Sequence, residues 1–331
     1  MNRVHRRDFL VAAGTLLAAP LVAEAQQAAN VTRIGYLSHN LAASSHLRDA
    51  FLQGLRELGY VEGRNVVIEY RYAEGKPERL PALAAELVAL KVDVIVTVSN
   101  TTALAAKQAT RTVPIVFTAV ANPVAAGIVT SLARPGGNLT GLASLGSELV
   151  GKRLELLKQA VPVVDRVAVL WLPGALGERT EKDMRAGADV ASRALGVRLQ
   201  FVEARGPADF DRAFSDMTSA RADALTLLPS NMFLREHRRL VDLAAKNRLP
   251  AVYGSREFVD AGGLMSYGAN QVDLYRSAAT YVDKILKGAK PDDLPVEQSS
   301  KFELFINLKS ANELGITIPK SMLARADEVI Q

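Results

Sequence analysis

Residues 92–120 read VDVIVTVSNTTALAAKQATRTVPIVFTAV, and this stretch contains the pattern that decides the fold. A short apolar run, Val92–Val98, is followed by the tetrapeptide SNTT, whose hydroxyl and amide side chains are typical helix caps. A helical pattern through Ala109 then leads to a second apolar run, Pro114–Val120. A strand, a helix and a strand in this order predict a parallel sheet that is covered by helices.

The same alternation continues on both sides of this stretch. In the first half, strands are predicted at Arg33–Leu37 and Asn65–Tyr72, with a helix between them. The pattern restarts after residue 147, with strands predicted at Arg166–Leu172, Val197–Glu203, Ala224–Leu228 and Pro250–Tyr253. The sequence therefore predicts an α/β protein with two doubly wound parallel-sheet lobes, joined by a hinge that the chain crosses more than once.

The predicted lobes are discontinuous in the sequence, because no low-complexity linker separates the two halves. We assign residues 31–143 plus about 264–298 to the first lobe, and 144–263 plus about 299–331 to the second. The late segments are predicted to be return crossings between the lobes: Gly263–Tyr267, the helix Asp273–Leu286, and Ser300–Ile306.

The N-terminus has the pattern of an export signal over residues 1–25. The charged start HRRDFL is followed by an apolar stretch and by Ala23-Glu24-Ala25, which predicts cleavage after Ala25. The pair Arg6-Arg7 resembles a twin-arginine signal, although His5 stands where that signal prefers Ser or Thr; an ordinary Sec signal is the alternative. Either signal predicts an exported, soluble protein of the periplasm that uses the export machinery.

The composition of the chain limits the kinds of partner and of covalent modification that can be expected. With 331 residues, 49% of them hydrophobic, the chain can bury a large core, and the sequence has no cysteine for disulfides or lipid attachment. A net charge of +5 spread over this length, without a basic run that contains aromatic residues, predicts no nucleic-acid binding.

Motifs for catalysis or cofactors are missing from the sequence. The glycines of ARPGGNLTG (133–141) fit neither the dinucleotide-binding nor the P-loop spacing, and they predict a turn where one lobe passes to the other. The three histidines that follow the predicted cleavage site have no recognised metal spacing. We therefore expect a protein that is not an enzyme and that has no cofactor and no metal.

Ligands of doubly wound folds bind beyond the carboxyl ends of the strands. This rule selects six loops that are rich in hydroxyl and amide groups, and a small polar solute is the expected ligand. The candidate ligand-binding residues are Ser38, His39, Asn40, Ser99, Asn100, Thr101, Ala121, Asn122, Pro173, Pro229, Ser230, Asn231, Gly254, Ser255 and Arg256. The alternative is that Ser, Thr and Asn only cap the helices that follow.

Two further residue groups have open interpretations. Trp171 ends a predicted strand of the second lobe, where its ring would either stack on a ligand or pack in the core. The charged pair Arg256-Glu257 follows another strand end, and it would either clamp a ligand or close the lobes on each other.

Several long stretches closely resemble a family of ABC-transporter substrate-binding proteins that includes tryptophan- and tyrosine-type binding components. The matching stretches are TVSNTTALAAKQATRTVPIVFTAVANPVAAGIVTSLARPGGNLTGLAS (97–144), FLQGLRELGYVEGRNVVIEYRYAEGKPERLPALAAELV (51–88), VYGSREFVDAGGLMSYG (252–268) and FINLKSANELGITIP (305–319). The resemblance covers essentially the whole chain after the predicted signal.

The resemblance implies a type I periplasmic-binding-protein fold that closes on a small solute and delivers it to an inner-membrane permease with a cytoplasmic ATPase. It also implies hydroxyl and amide contacts to the solute from Ser99, Asn100 and Thr101. The family often has Asp-Pro after the fourth strand, whereas this chain has Asn122-Pro123, and Asn122 cannot neutralise an ammonium group. The resemblance therefore implies an α-amino acid less strongly here than for the amino-acid-binding members of the family, and the expected solute is a small polar or amino-acid-like/aromatic molecule. An extracytoplasmic sensor of such a solute, which signals to a membrane receptor or kinase, is the alternative function.

Overall fold

The computed structural model describes residues 31–40, 45–144 and 146–331, and the predicted signal peptide lies outside them. In chain order, the strands are β1 (Thr32–Ser38), β2 (Val66–Tyr72), β3 (Val94–Thr97), β4 (Ile115–Ala121), β5 (Leu139–Ser144), β6 (Arg166–Trp171), β7 (Arg198–Glu203), β8 (Ala224–Leu227), β9 (Ala251–Tyr253), β10 (Met265–Ala269), β11 (Glu297–Gln298), β12 (Phe302–Asn307) and β13 (Glu328–Ile330). The helices are α1 (Ser45–Glu57), α2 (Leu80–Ala89), α3 (Asn100–Ala109), α4 (Ser147–Ala160), α5 (Glu178–Leu195), α6 (Phe210–Ser219), α7 (Asn231–Arg235), α8 (His237–Lys246), α9 (Arg256–Asp260), α10 (Gln271–Leu286), α11 (Leu308–Leu314) and α12 (Lys320–Leu323).

The first lobe is a parallel sheet with the strand order β11-β5-β4-β3-β1-β2. Strand β3 shows why the sheet has helices on both faces. Val94 and Val96 pack with the core residues of α1 and α10, whereas Ile95 packs with those of α2 and α3. Because successive side chains of a strand point to opposite faces, a strand that is apolar throughout must be covered on both sides.

The second lobe is built on a sheet with the order β13-β12-β10-β9-β8-β6-β7. Strands β6 to β10 are parallel to one another, whereas β12 runs antiparallel to β10, and the edge strand β13 runs parallel to β12. One face packs against α4 and α5, and the other against α6 and α8. The predicted fold class is confirmed, and the antiparallel β12 is a feature that the sequence pattern does not predict.

One predicted lobe boundary is wrong. The prediction assigns the chain from about residue 264 to the first lobe, but β10 pairs with β9 in the second sheet, Met265 with Val252 and Ser266 with Tyr253. The buried Met265 completes the apolar core of that sheet. The chain therefore returns to the first lobe only after Ala269.

Within the described residues, the chain passes between the lobes at three places: between β5 and α4, between β10 and α10, and between β11 and β12. Helix α10 belongs to the first lobe, because it packs along α1 and buries Leu274, Ala278 and Val282 against that sheet. Strand β11 then pairs with β5 before the chain enters β12. These passages form the hinge.

The hinge-side strand β4 contains an irregularity. Its pairing with β5 shifts register between Phe117 and Val120, and Ala119 has a left-handed φ of 56°. Opposite the irregularity, Gly141 has a φ of 148°. The extra residue turns Ala119 toward the space between the lobes, which is a common use of a β-bulge near a functional site.

Candidate functional site

A cleft of about 620 Å³ lies between the two lobes at the carboxyl ends of the parallel strands. Thirteen of the fifteen predicted ligand-binding residues line it. From the first lobe these are Ser38, His39, Asn40, Ser99, Asn100, Thr101 and Ala121, and from the second lobe Pro173, Pro229, Ser230, Asn231, Gly254 and Ser255. The strand-end rule therefore located the walls of the cleft, while the ligand contacts of these residues stay predictions.

The first-lobe wall has a hydroxyl cluster around His39. Its Nε2 lies 3.1 Å from Ser99 Oγ and 2.7 Å from Thr101 Oγ1. Ser99 Oγ also caps α3 by accepting a hydrogen bond from the Thr102 amide, so the capping interpretation holds for this residue as well. Burial lowers the pKa of His39 to about 4, and the imidazole is therefore neutral at pH 7. A neutral ring with hydroxyl neighbours can donate and accept hydrogen bonds but is a weak base.

The buried His39 should make the protein less stable in mild acid. Its pKa is about 4 in the folded protein and 6.5 for the ordinary side chain, so the unfolded chain binds this proton first as the pH falls. This contribution is absent above pH 7 and destabilises the fold progressively between about pH 6.5 and pH 4, by roughly 3 kcal/mol at most. Urea unfolding of the wild type and of His39→Gln at pH 7 and pH 4 isolates it, because the variant shares every other titration. An equal loss of stability in both proteins would contradict the prediction.

Asn100 has a structural role at the cleft. Its Nδ2 donates to the Ala121 carbonyl at 2.8 Å, and its Oδ1 accepts from the Ala121 amide at 2.9 Å. This pair of hydrogen bonds ties the start of α3 to the end of β4. The amide group is therefore used mainly to hold two cleft loops together.

The second-lobe wall contains Arg153, a residue that the sequence analysis missed. It lies on α4, is 4% exposed and lines the cleft. Its Nε donates to the Tyr267 carbonyl at 2.8 Å, while among the described residues its terminal nitrogens have no hydrogen-bond acceptor and no carboxylate pairs with it. Burial lowers the pKa of Arg153 to about 10, which leaves the guanidinium charged at pH 7. A buried charge without a counterion is costly, and such groups occur where a ligand supplies the opposite charge.

Gly254 positions this guanidinium. A Cβ at residue 254 would lie 2.9 Å from Nη2 and 3.1 Å from Cζ of Arg153, so only glycine lets the planar group lie against the main chain.

A signal for Arg153 was present in the sequence. It stands three residues after Val150 and four before Leu157, which are buried on the same face of α4. An arginine at such a position is unusual enough to be a candidate.

Two of the predicted ligand-binding residues, Asn122 and Arg256, are not among the residues that line the cleft. Asn122 has a left-handed φ of 44°, which turns its side chain toward α5, where Nδ2 lies 3.3 Å from Asp183 Oδ2. Arg256 pairs with Asp260 on its own helix and with Glu328 of β13, at 2.7 Å for Nη1. Both side chains are held by partners outside the cleft.

Contacts also cross the cleft between the lobes. His46 of α1 has its Nε2 3.6 Å from Glu257 Oε1 of α9, and the Arg235 guanidinium packs against Gly75. Together with the bond between Asn122 and Asp183, these contacts bridge the two lobes. The lobes are thus close together in this structure.

The remaining lining is largely apolar. It includes Leu149, Leu172, Met232, Phe233, Phe258 and Tyr275. Trp171 packs in the core of the second lobe, where the Arg185 guanidinium lies 4.7 Å from the centroid of its ring. Of the two interpretations of Trp171, the structure therefore favours packing in the core. An apolar lining with a few convergent polar groups is typical of sites for small organic molecules.

Neither a metal centre nor a membrane span is found in the described part of the chain. Its His, Asp and Glu side chains form no group of three or more that could hold an ion. None of the helices in residues 31–40, 45–144 and 146–331 combines the length and apolarity needed to cross a bilayer.

Two α/β lobes that enclose a cleft at their strand ends define the class of bilobal solute-binding proteins. Comparison with known families identifies the family within this class. Residues 30–330 match the ABC transporter substrate binding protein family, and the chain belongs to it. This family consists of substrate-binding proteins and not of enzymes, and the resemblance seen in the sequence is confirmed.

Three relatives are informative. A tyrosine-binding protein from Clostridioides difficile is 26% identical over 287 residues, which are 85% of this chain and 81% of the relative. An ABC domain from Streptococcus pneumoniae in complex with L-Trp is 28% identical with a TM-score of 0.84, over 90% of this chain and 99% of that chain. A ligand-free, open substrate-binding protein with adhesive properties from Clostridium difficile is 25% identical with a TM-score of 0.68, over 91% of this chain and 99% of that chain.

More distant structures share the fold alone. A LacI-family repressor from Corynebacterium glutamicum is 14% identical with a TM-score of 0.54, over 80% of this chain and 93% of that chain. Both lobes thus have the type I periplasmic-binding architecture.

Proposed function

We propose that this protein captures a small amino-acid-like carboxylate, with an apolar or aromatic side chain, and delivers it to an ABC import permease. The observation that carries the proposal is Arg153, a buried guanidinium that faces the cleft and has no acidic partner among the described residues. Because its fork of N–H donors matches the geometry of a carboxylate, a solute with that group would neutralise the charge.

The other features of the cleft fit the rest of such a solute. A volume of about 620 Å³ accommodates a molecule of amino-acid size with its water. The apolar residues Phe233, Phe258 and Tyr275 suit a hydrophobic or aromatic side chain, while Ser99 and Thr101 offer hydroxyl groups from the other lobe. The tyrosine- and L-Trp-binding relatives support the same solute class.

The arrangement of the lobes supports capture by closure. The TM-score is higher with the L-Trp complex than with the ligand-free, open relative, although identity and coverage are similar. The cross-cleft contact of His46 with Glu257 is consistent with a closed form. A solute that touches both lobes stabilises this form by its differential contacts, and we infer that the permease recognises the closed surface.

The proposal includes an exported, periplasmic protein, because its N-terminal residues have the pattern of a twin-arginine or Sec signal. No covalent step is part of the proposed function. The cluster of His39, Ser99 and Thr101 then serves in hydrogen bonding to the solute.

A thermal-shift screen of the purified protein against the twenty amino acids and related carboxylates tests the solute class. At a hundred times Kd, a bound ligand stabilises the fold by about 2.7 kcal/mol, which corresponds to a rise in Tm of roughly 5 °C for a chain of this size. We expect aromatic or large apolar amino acids to give such shifts. Tight binding of an uncharged solute, with no shift for any carboxylate, would refute the proposal.

Delivery to a permease is tested in cells. Deleting the gene should slow uptake of the labelled solute that gave the largest shift, and the wild-type gene should restore it. Unchanged uptake in the deletion strain at a concentration near Kd would contradict the transport role.

A further inference from the structure

We propose that Glu257 recognises a cationic group of the solute, so that the cleft selects a zwitterion over a simple carboxylate. This inference rests on the proposed function, in which Arg153 holds the carboxylate. It adds a second charged subsite to the second lobe and narrows the solute class.

Glu257 is placed for such a role. It lies on α9 with its side chain 21% exposed, and it is the only carboxylate among the described residues that line the cleft. It follows Gly254 by three residues, and Gly254 is the residue against which the Arg153 guanidinium packs. Both opposite charges therefore belong to the second-lobe wall of the same cleft, and the turn that begins at Gly254 connects the two sites.

The two charges do not neutralise each other. Within the described part of the chain, no ion pair joins Glu257 to Arg153, and the imidazole Nε2 of His46 lies 3.6 Å from Glu257 Oε1, beyond hydrogen-bonding distance. His46 is 54% exposed and belongs to the opposite lobe. The other lining arginines are committed elsewhere, Arg205 to Glu203 and Arg235 to Glu236.

The balance of charges in the cleft then determines whether a simple carboxylate or a zwitterion binds more tightly. A simple carboxylate would satisfy Arg153 but would bring a second negative charge into the cleft that the largely buried Glu257 also lines. Burying like charges together without a counterion is unfavourable. An ammonium group on the same solute removes this cost, because each end of the solute then meets the opposite charge of the protein.

Asn122, at the end of β4, does not provide a charge for the cleft. Asn122 supplies no charge, and its amide lies 3.3 Å from Asp183, away from the cleft. Glu257 is therefore the group of the cleft that can neutralise an ammonium.

The test compares amino acids with their desamino analogues by calorimetry. The probes are L-tyrosine with 3-(4-hydroxyphenyl)propionate, and L-tryptophan with indole-3-propionate. We expect the wild type to bind the amino acid about 10–100-fold more tightly than its analogue, and Glu257→Gln to reduce this ratio to near one. Asp260→Asn is the matched control, because Asp260 lies on the same short helix but pairs with Arg256 outside the cleft; its ratio should equal that of the wild type.

Each other result overturns the inference. A wild type that binds the desamino acids as tightly as the amino acids would leave carboxylate capture intact but refute the ammonium subsite. An equal loss for both members of a pair in Glu257→Gln, with the ratio unchanged, would mean that Glu257 only holds the lobes together through His46. If no probe bound the wild type, the proposed solute class would fail first, and the ammonium subsite with it.

Discussion

Replacing Arg153 by glutamine is expected to weaken binding of a carboxylate solute by about two to three orders of magnitude. The guanidinium is buried in the cleft wall, and removing one partner of a buried charge pair costs about 2–5 kcal/mol in binding. Calorimetry with L-tyrosine or L-tryptophan, whichever gives the larger thermal shift, measures the loss. Arg153→Lys keeps the charge but not the planar fork, so we expect it to recover only part of the affinity.

Replacing Arg153 by methionine should stabilise the empty protein. Arg153 is a buried charge without an acidic partner in the described residues, and its pKa is lowered to about 10 by that burial. Replacing it by methionine removes the desolvation cost while filling most of its volume, so Tm without ligand should rise although binding is lost. Opposite signs for affinity and stability are the signature of a binding residue.

Lys152→Gln is the control for both measurements. Lys152 is the neighbouring residue on α4, and it pairs with Glu155 at 2.8 Å outside the cleft. Removing its charge should change neither affinity nor Tm appreciably, because exposed pairs contribute about 1 kcal/mol at most. If Lys152→Gln weakened binding as much as Arg153→Gln does, the proposed role of Arg153 would be refuted.

The largest effect on folding is expected for Gly141→Ala. A Cβ at this position would overlap the Phe117 carbonyl oxygen and lie 2.7 Å from the Phe117 amide nitrogen, at a φ of 148°. Both strands lie inside the first sheet, so the clash cannot be relieved without separating β4 from β5. We expect a loss of about 4 kcal/mol or more in the free energy of unfolding, or no folded protein.

Gly137→Ala separates the two causes of this loss, which are the positive φ of the glycine and the steric clash with Phe117. Gly137 also has a positive φ, 90°, but nothing lies within 4 Å of its Cβ position. It should therefore show only the conformational cost, about 1 kcal/mol. Urea unfolding of both variants gives the comparison, and similar losses would mean that the close approach to Phe117 is unimportant.

The two-lobed architecture was predictable because it depends on local patterns. Short apolar runs such as Val92–Val98 are typical of buried strands, and the polar caps that follow them place the loops at one end of the sheet. The family resemblance and this periodicity lead to the same fold. The antiparallel direction of β12 was not predictable, since direction is set by which neighbour a strand meets after a long connection.

The candidate site was only partly predictable, because position along the chain does not fix the direction of a side chain. Asn122 follows a strand as the rule requires, but its left-handed backbone turns it toward Asp183. Arg256 is drawn away by Glu328, a partner 72 residues further along the chain. Arg153 lies in the middle of a helix, so a rule that considers only the residues after strand ends cannot select it.

The three passages of the chain between the lobes have a consequence for the order of folding. The first lobe lacks α10 and β11 until Gln298 has been synthesised, and α10 supplies a large part of its core. The first half of the chain therefore leaves the ribosome with an apolar sheet face that α1 covers only in part. Such a surface is prone to aggregate, so we expect the protein to depend on chaperones during synthesis and a fragment that ends near residue 145 to be insoluble.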